Sequence, residues 1–521
     1  MKIRGLIISA DARLDGRSEL INKLSLKQSA TDAELILYAY EAWGEDCVKH
    51  LIGDFAFAIH DSNSRRLFCA RDHFGVKPFF YAGLANDFIF STNLNELRQD
   101  PRVSNTLNEI AIGDYLLFGV NQDLSTTTFK DIQRLPPAHS LTFADGSIKI
   151  RCYWTPSIQN EVRFGKPNNY VERFSELFST AIEDRLRTDR VAISMSGGLD
   201  STSIAAIART QLRDDSALQA FTVVYDKLIP DEERYYSTAA ATHLAIPITH
   251  LAADDYSLFD EQVPGDMDQA EPFRLSPYTA QFNSLLRLCA AHGRVALTGY
   301  DGDAFMNEPG RRHFGIRSKL KRLFGKRGAE IVLPKWIDES FAERTQLLDR
   351  WKQSWSSRVD LASPANPVWT ALFESYDRRA TRLNLEVRHP FIDVRLVEFL
   401  SAIPARPWCV NKNILRLAMK DKLPPAVVDR PKTPLAGNPA LQLVRHGSVR
   451  WLDSFEVSPQ LRDFVNFKLR PRVAGEQTSD GLWANLRIYA LNYWLTNSQP
   501  IVRRATTNEV NNNRACMTSA A

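Results

Sequence analysis

Residues 194–203 read SMSGGLDSTS, a stretch that combines two adjacent glycines with serines and one aspartate. The apolar run before it predicts a buried strand, and the small residues after it predict a closely packed helix. Glycines let the backbone approach an anion and adopt a positive φ, and a helix N-terminus offers unpaired N–H groups with a partial positive charge. We therefore predict a phosphate-binding loop made of Ser196, Gly197, Gly198, Leu199, Asp200 and Ser201.

Asp200 sets this loop apart from a plain phosphate site, because a carboxylate repels a bare phosphate. A Mg²⁺ ion between the carboxylate and the phosphate oxygens removes that repulsion. The stretch has neither the G-x-x-x-x-G-K-[ST] pattern of kinase-type loops nor the G-x-G-x-x-G pattern of dinucleotide folds. A Gly-Gly turn leading into a helix would account for the glycines, but not for the complete S-G-G-x-D-S string. The residues thus favour a phosphate site with Mg²⁺ on Asp200.

The segments around the loop indicate its fold. YVERFSELFSTAIEDRLRTD, which begins at Tyr170, carries an apolar stripe at helical spacing. RVAISMS, LQAFTVVYD and RVALTGYDGD contain the short apolar runs of buried strands. Strands that alternate with helices predict an α/β doubly wound parallel sheet. We assign residues 168–500 to this domain and predict that its C-terminal part, from about residue 335, is helical.

Residues 1–155 have a different pattern and predict a separate domain. TDAELILYAYEAWG is an apolar helical repeat, and Thr31 with Glu34 forms the capping box that starts it. The period then changes to two in GDFAFAIHD, and short strands follow in RRLFCARD, KPFFYAG and DFIFSTN. A hairpin with an Asp-Gly turn closes the region at residues 135–150. This pattern predicts a strand-rich, antiparallel α+β domain.

The composition excludes several classes of protein. The net charge of +4 over 521 residues does not point to nucleic acid. The six cysteines are scattered without a C-x-x-C pair, which argues against a disulfide framework or a zinc site. There is no signal-peptide core and no apolar run of the roughly 18–20 residues that cross a bilayer. We expect a cytoplasmic protein with no nucleic-acid partner and no stable membrane insertion.

Two further segments have an unusual composition. RRHFGIRSKLKRLFGKR, at residues 311–327, has eight Lys or Arg residues and no acid. It is either a solvated loop or a docking surface for an acidic peptide or a phosphate-bearing ligand. The polar, repetitive residues 503–521 predict a disordered tail.

The SGGLDS string resembles the pyrophosphate loop of the ATP-pyrophosphatases, which adenylate a substrate and release pyrophosphate. TDAELILYAYEAWG, LIGDFAFAIHD and LFCARDHFGVKPFFY resemble the N-terminal glutamine-amidotransferase-like domain of B-type asparagine synthetases. LEVRHPFIDVRLVEFL and KNILRLAMKDKLPPAVVDRPK resemble the synthetase domain of that family. The resemblance implies ATP and Mg²⁺ as cofactors, with Val223 and Gly299 near the nucleotide and Asp303 as a second metal ligand.

Two departures from the family pattern bear on the reaction. The family hydrolyses glutamine with a cysteine directly after the initiator Met, but Lys2 stands there, so we expect a degenerate amidotransferase-like domain. Tyr300 replaces a family glutamate, as in beta-lactam synthetases, where a tyrosine paired with a glutamate helps to deprotonate an amine. A free tyrosine, with a pKa of about 10, needs such help. Glu386 is our candidate partner for Tyr300, and Glu374 is its rival.

Lys432, in DRPKTPLAG, resembles the synthetase lysine that stabilises negative charge in the transition state. Its context is most similar to lasso-peptide cyclases, which adenylate an Asp or Glu side chain of a precursor peptide and close a macrolactam with the peptide's N-terminal amine. The resemblance implies a precursor peptide as substrate, with a leader peptidase and a leader-binding protein as partners. An ammonia-dependent asparagine synthetase, another intramolecular amide-forming enzyme and a non-catalytic scaffold remain alternatives.

Overall fold

The computed structural model describes most of the chain. The residues it describes are 2–85, 87–156, 161–212, 214, 216–260, 270–274, 276–306, 332–356, 366–431, 437–447, 449–470, 472–473 and 479–497. Three features predicted from sequence lie outside these ranges, namely Lys432, the basic stretch 311–327 and the tail 503–521.

The N-terminal domain is built on a six-stranded antiparallel sheet with strand order β1-β2-β3-β4-β8-β9. Its strands are β1 (Lys2–Ile3), β2 (Leu6–Asp15), β3 (Ile52–Asp61), β4 (Arg66–Arg71), β8 (His139–Ala144) and β9 (Ser147–Cys152). A three-stranded sheet of order β6-β5-β7 consists of β5 (Phe80–Leu84), β6 (Asp87–Ser91) and β7 (Gln133–Arg134). The helices are α1 (Arg17–Leu24), α2 (Asp32–Trp43), α3 (Leu94–Arg98) and α4 (Glu109–Phe118).

The alternation along β3 separates two cores in this domain. Phe55 and Phe57 pack in one core with residues of α1 and α2. Ala56 and Ala58 face the other way and pack with β5 and β6. Successive side chains of a strand point to opposite faces, so one strand can serve both layers. The predicted capping box at Thr31 is present, with both of its hydrogen bonds formed.

The second domain contains a five-stranded parallel sheet with strand order β12-β11-β10-β13-β14. Its strands are β10 (Val191–Ser194), β11 (Leu218–Val224), β12 (Ile248–Ala252), β13 (Val295–Thr298) and β14 (Glu386–Arg388). Helix α5 (Pro167–Glu183) precedes this sheet, and the helices between its strands include α6 (Leu199–Gln211), α7 (Glu233–His243), α8 (Thr279–His292) and α9 (Gly302–Met306). The predicted fold class, an antiparallel α+β domain followed by a parallel α/β domain, is confirmed.

The C-terminal part is helical, as predicted. Its helices are Glu339–Arg344, Leu347–Ser356, Pro367–Tyr376, Arg378–Thr381, Val394–Ala402, Ala405–Trp408, Asn413–Met419, Pro425–Val428, Pro439–Arg445 and Ser479–Asn497. In the part of the chain that the structure describes, no helix is both long enough and apolar enough to cross a bilayer.

The two domains share one hydrophobic core. Leu486 and Trp494, on the last helix, belong to the same buried cluster as Phe80 of β5 and Leu116 of α4. Burying large apolar side chains contributes about 1.5–3 kcal/mol each, so such a core resists separation of the domains. The relative position of the domains is therefore fixed by packing.

Buried ion pairs also cross between the domains. Arg134 of the first domain contacts the carboxylates of Glu271 and Glu374 in the second, at 2.5 Å and 2.8 Å. Arg185 of the second domain pairs with Asp15 of β2 at 3.2 Å and with Asp393 at 3.0 Å. Charges of this kind are tolerated inside proteins only when they are paired. These pairs therefore oppose any opening of the interface.

Candidate active site

A cavity of about 870 Å³ opens at the carboxyl edge of the parallel sheet. From β10 the chain passes to β11 and β12 on one side, and it then continues to β13 and β14 on the other side of β10. Ligands of open α/β sheets bind at such a switch point. The cavity is lined by Ser194, Ser196, Gly198, Leu199, Asp200, Ser201, Glu233, Thr298, Gly299, Tyr300, Asp303, Asn411, Lys412, Arg416, Asp429, Arg430 and Pro431.

The phosphate loop runs from β10 into the N-terminus of α6, as predicted. Its two glycines do not have the positive φ that we expected; Gly198, for example, has φ −80°. Steric space explains Gly197 instead, because a Cβ at that position would lie only 2.3 Å from the Cβ of Tyr236. Gly197 thus lets the loop pack directly against α7.

The serines of the loop are bonded mainly to the loop itself. The Ser201 hydroxyl donates to the carbonyl oxygen of Ser196 at 3.0 Å, and the Gly198 N–H donates to Ser196 Oγ at 3.3 Å. These bonds hold the turn at the start of α6. The serines therefore shape the loop as well as lining the cavity.

Two other glycines allow the segment after β13 to approach α6. A Cβ on Gly299 would lie 2.6 Å from the backbone nitrogen of Ser201. A Cβ on Gly302 would lie 2.7 Å from the Asp200 carboxyl carbon. This close packing brings Asp303, at the start of α9, to the same side of the cavity as Asp200.

Asp200 and Asp303 meet at the ammonium group of Lys412. Lys412 Nζ lies 2.5 Å from Asp200 Oδ2 and 2.8 Å from Asp303 Oδ1. The two carboxylates are thus close enough to bind one cation together. Lys412 has a left-handed backbone, with φ 58°, just before the helix Asn413–Met419. Sequence reasoning missed Lys412, whose one signal was its place at the start of the family-like segment that ends at Lys432.

The donor set at this corner fits Mg²⁺. Hard cations prefer carboxylate oxygens, and Asp200 and Asp303 already share a cationic partner. A third carboxyl group, that of Asp301, lies beside them, and burial together with the charges of both aspartates raises its pKa to about 7, against the hydrogen bond of Trp369. Asp200 and Asp303 are the residues that would hold the metal.

Tyr300 lies on the cavity wall and is 43% exposed. Its ring is 5.8 Å from that of the buried Tyr376 and 6.4 Å from that of His389. Burial, the charge of Tyr300 and a side-chain hydrogen bond with Tyr300 raise the pKa of Tyr376 well above its usual value. Tyr376 therefore remains protonated, and its hydroxyl shares a hydrogen bond with that of Tyr300.

The predicted pairing of Tyr300 with Glu386 is wrong. Glu386 starts β14 opposite Val295, the first residue of β13, whereas Tyr300 follows the far end of β13. At about 3.3 Å per strand residue, the two lie at opposite edges of the sheet. Glu386 instead pairs with Arg388 at 3.1 Å. The rival, Glu374, is buried against Arg134.

A buried histidine lies behind Tyr300. His389 Nδ1 is 2.7 Å from the hydroxyl of Thr298, which lines the cavity. Burial lowers the pKa of His389 to about 4, so its imidazole is neutral near pH 7. His389 thus supports the end of β13 without adding charge.

Val223 lies outside the set of residues that line the cavity. It is partly buried on β11 and packs with Tyr225, Ile229 and Ala253. Pro431 also lines the cavity, and the next residue, Lys432, lies outside the described part of the chain. The structure thus gathers most of the predicted site residues, but not Val223 or Glu386.

The fold and the cavity together define an ATP-using synthetase, in which a phosphate loop and a pair of carboxylates lie together at the carboxyl edge of a parallel sheet. Two protein families match the chain. Residues 173–464 match the asparagine synthase family, and residues 14–154 match the glutamine amidotransferase domain. The first match covers more than half of the sequence. The chain belongs to the asparagine synthase family.

Curated relatives agree with this assignment. The glutamine-hydrolyzing asparagine synthetase 3 of Bacillus subtilis is 27% identical over 81% of this chain and 73% of its own length. The asparagine synthetase 2 of the same organism is 27% identical over 78% of the chain and 59% of its own length. A putative asparagine synthetase of Methanocaldococcus jannaschii is 30% identical over 42% of the chain and 44% of its own length. The protein is thus an ATP-dependent amide-bond-forming ligase that releases AMP and pyrophosphate.

Proposed function

We propose that this enzyme adenylates an Asp or Glu side chain of a lasso precursor peptide and closes a macrolactam with the N-terminal amine of the same peptide. The observation that carries the proposal is Tyr300, a phenol on the cavity wall that is backed by a second phenol, Tyr376, rather than by a carboxylate. The resting pair carries no negative charge that would hold the substrate amine as ammonium, and the Tyr376 hydroxyl can stabilise a Tyr300 phenolate that takes up the amine proton.

The first half-reaction uses the loop. Ser196, Gly198 and Ser201 line the part of the cavity in which the polyphosphate would lie. A Mg²⁺ ion on Asp200 and Asp303 would neutralise phosphate charge during attack of the substrate carboxylate on the α-phosphate. Lys412, which holds both aspartates, would then turn its ammonium group towards the phosphates.

The second half-reaction takes place at Tyr300. The acyl adenylate and the amine must lie in near-attack geometry, which removes much of the entropic barrier to ring closure. Tyr300 acts as the phenolate after losing its own proton to solvent, and the Tyr376 hydroxyl stabilises that phenolate by donating to it. As the C–N bond forms and AMP leaves, the phenolate accepts the amine proton and becomes a neutral phenol. We assign to Lys432 the stabilisation of negative charge in both transition states.

The wider biological setting follows from the same assignment. We propose a precursor peptide as the substrate, with a leader peptidase and a leader-binding protein as partners. The use of ATP and the free thiols of the five described cysteines support a cytoplasmic location. The curated relatives are glutamine-hydrolyzing asparagine synthetases, and they favour a second function, the synthesis of asparagine from free aspartate.

One experiment separates the two functions. The full-length protein is assayed for ATP–pyrophosphate exchange with three additions: a candidate precursor peptide freed of its leader, the same peptide with its acidic residue changed to the amide, and free aspartate with ammonium. The cyclase predicts exchange only with the intact peptide, followed by a product that has lost one water. Exchange with free aspartate and formation of asparagine would contradict it and support the second function.

A further inference from the structure

Glu233 lies where the phosphate loop would meet an anion. Its Oε2 accepts a hydrogen bond from the Gly197 N–H at 2.6 Å, and its Oε1 accepts one from Arg430 Nη1 at 3.1 Å. Glu233 and Arg430 both line the cavity, and their side chains are only 18% and 11% exposed. A loop amide and a guanidinium are the donors that proteins use for phosphate oxygens. Here they hold a carboxylate.

The two donors are fixed by their surroundings. The Arg430 guanidinium lies 3.9 Å from the centre of the Tyr236 ring. The backbone oxygen of Arg430 accepts a hydrogen bond from Arg416 Nη2 at 3.0 Å. Gly197 is pressed against α7 so closely that a Cβ would overlap Tyr236. Glu233, with its flexible side chain at the start of α7, is therefore the part of this contact that moves at least cost.

We propose that the Glu233 carboxylate occupies the position of a pyrophosphate oxygen, and that Arg430 is a pyrophosphate-binding residue. When the polyphosphate binds, Glu233 moves aside, and the Gly197 N–H and Arg430 donate to the ligand instead. A ligand must therefore carry enough charge to displace Glu233, which favours polyphosphates over weaker anions. This inference rests on the nucleotide half of the proposed function and does not depend on the identity of the amine.

The test is the affinity of the full-length protein for inorganic pyrophosphate with Mg²⁺, measured by isothermal titration calorimetry without peptide or aspartate. Glu233→Gln removes the competing charge, and we expect about tenfold tighter binding, as for the loss of one close repulsive contact. Arg430→Gln removes a charge-assisted donor, and we expect about tenfold weaker binding.

Glu232→Gln is the matched control. Glu232 is the exposed neighbour of Glu233 and occupies the N-cap position of α7. It is not among the residues that line the cavity. This variant removes the same charge from the same turn, so a long-range effect of net charge would appear in both variants. We expect its affinity for pyrophosphate to equal that of the wild type.

Glu233→Asp is a second variant that tests the same contact if Glu233→Gln does not fold. It keeps the charge but is one methylene shorter, so it cannot contact Gly197 and Arg430 together, and we expect tighter binding than in the wild type. If neither Glu233 variant binds pyrophosphate more tightly, or if Arg430→Gln binds it as well as the wild type, the inference is overturned. Because no acceptor is present, this result does not depend on whether the enzyme closes a macrolactam or makes asparagine.

Discussion

Tyr300 and Tyr376 divide a single task between an exposed and a buried phenol. Tyr300 is exposed on the cavity wall, whereas Tyr376 is enclosed among Phe282, His389 and the Tyr300 ring. The high pKa of Tyr376 keeps its proton in place, so Tyr376 can donate a hydrogen bond to a Tyr300 phenolate. The chemical role of Tyr300 therefore depends on a residue that never contacts substrate.

Replacement of Tyr300 by Phe should separate the two half-reactions. We expect Tyr300→Phe to slow amide formation by about 10²–10⁴-fold, the usual contribution of a positioned acid–base group, while ATP–pyrophosphate exchange continues near its wild-type rate. Tyr376→Phe should give a smaller loss in the same step. Exchange and product are measured side by side by isotope incorporation and mass spectrometry. An equal loss in both steps would instead assign Tyr300 to nucleotide binding.

His389 predicts sensitivity of the fold to mild acid. Its pKa is about 4 in the folded protein, below the value of about 6.5 in an unfolded chain. As the pH falls from 6.5 towards 4, the unfolded chain gains a proton that the folded protein does not accept, so the free energy of unfolding decreases. Above pH 6.5 this group has no effect.

We therefore expect His389→Gln to lose less thermal stability between pH 7.5 and pH 5 than the wild type does. The difference should be about 2 kcal/mol, since one pKa unit corresponds to about 1.4 kcal/mol and pH 5 lies about 1.5 units below the pKa of the unfolded chain. Melting curves at both pH values test this, with the exposed His446→Gln as the control. Parallel shifts in all three proteins would show that other groups govern the acid response.

At the scale of elements, the contact between the loop and α7 determines how the loop is placed. Gly197 touches Tyr236, and a Cβ would also lie 3.0 Å from the Ser237 nitrogen. At the next residue, Gly198, the nearest atom to a Cβ would be Ser196 Oγ, at 3.3 Å. Contact with α7 thus requires glycine at position 197, whereas the space around position 198 is less restricted.

This contrast gives a matched pair of variants. We expect Gly197→Ala to push the loop from α7 and to weaken pyrophosphate binding by about tenfold or more, because overpacking of a tight contact costs about 1–3 kcal/mol. We expect the pyrophosphate affinity of Gly198→Ala to stay close to that of the wild type, since the φ of −80° at this position suits alanine. Calorimetric titration of both variants checks the order, and the reverse order would show that anion approach, not α7, requires the glycine.

Local patterns predicted the elements better than the site. The strand, loop and α6 follow from residues that are adjacent in sequence, so Asp200 and Tyr300 could be placed on the cavity in advance. Lys412 meets Asp200 across 212 positions of the chain, and no spacing rule indicates such a contact. Glu386 was misplaced because its distance from Tyr300 depends on the register of β14 against β13. That register is a property of tertiary packing.

At the scale of the whole molecule, Glu374 connects the two domains instead of serving as the partner of Tyr300. Its carboxylate accepts hydrogen bonds from Arg134 Nε at 2.8 Å and from Arg71 Nη2 at 3.4 Å, both from the N-terminal domain. All three side chains are almost fully buried. The synthetase domain thus provides the carboxylate that pairs with Arg71 and, together with Glu271, with Arg134.

We expect Glu374→Gln to destabilise the protein by about 3–5 kcal/mol, the usual cost of leaving a buried charge without its partner. Glu109→Gln, in an exposed pair with Arg344 that also crosses the domains, should cost only about 0–1 kcal/mol. Chemical denaturation followed by circular dichroism compares the two. Similar losses in both variants would show that the buried cluster is no more important than a surface pair.

The shared core of the last helix with β5 and α4 has a practical consequence for anyone who divides this molecule. Each half has buried clusters of its own, but neither half alone contains the whole cluster in which Leu486 and Trp494 pack with Phe80 and Leu116. A recombinant synthetase half expressed alone would present that apolar face to water and aggregate. The amidotransferase-like half therefore has a reason to persist in evolution that does not require any chemistry of its own: it completes the interior of its partner.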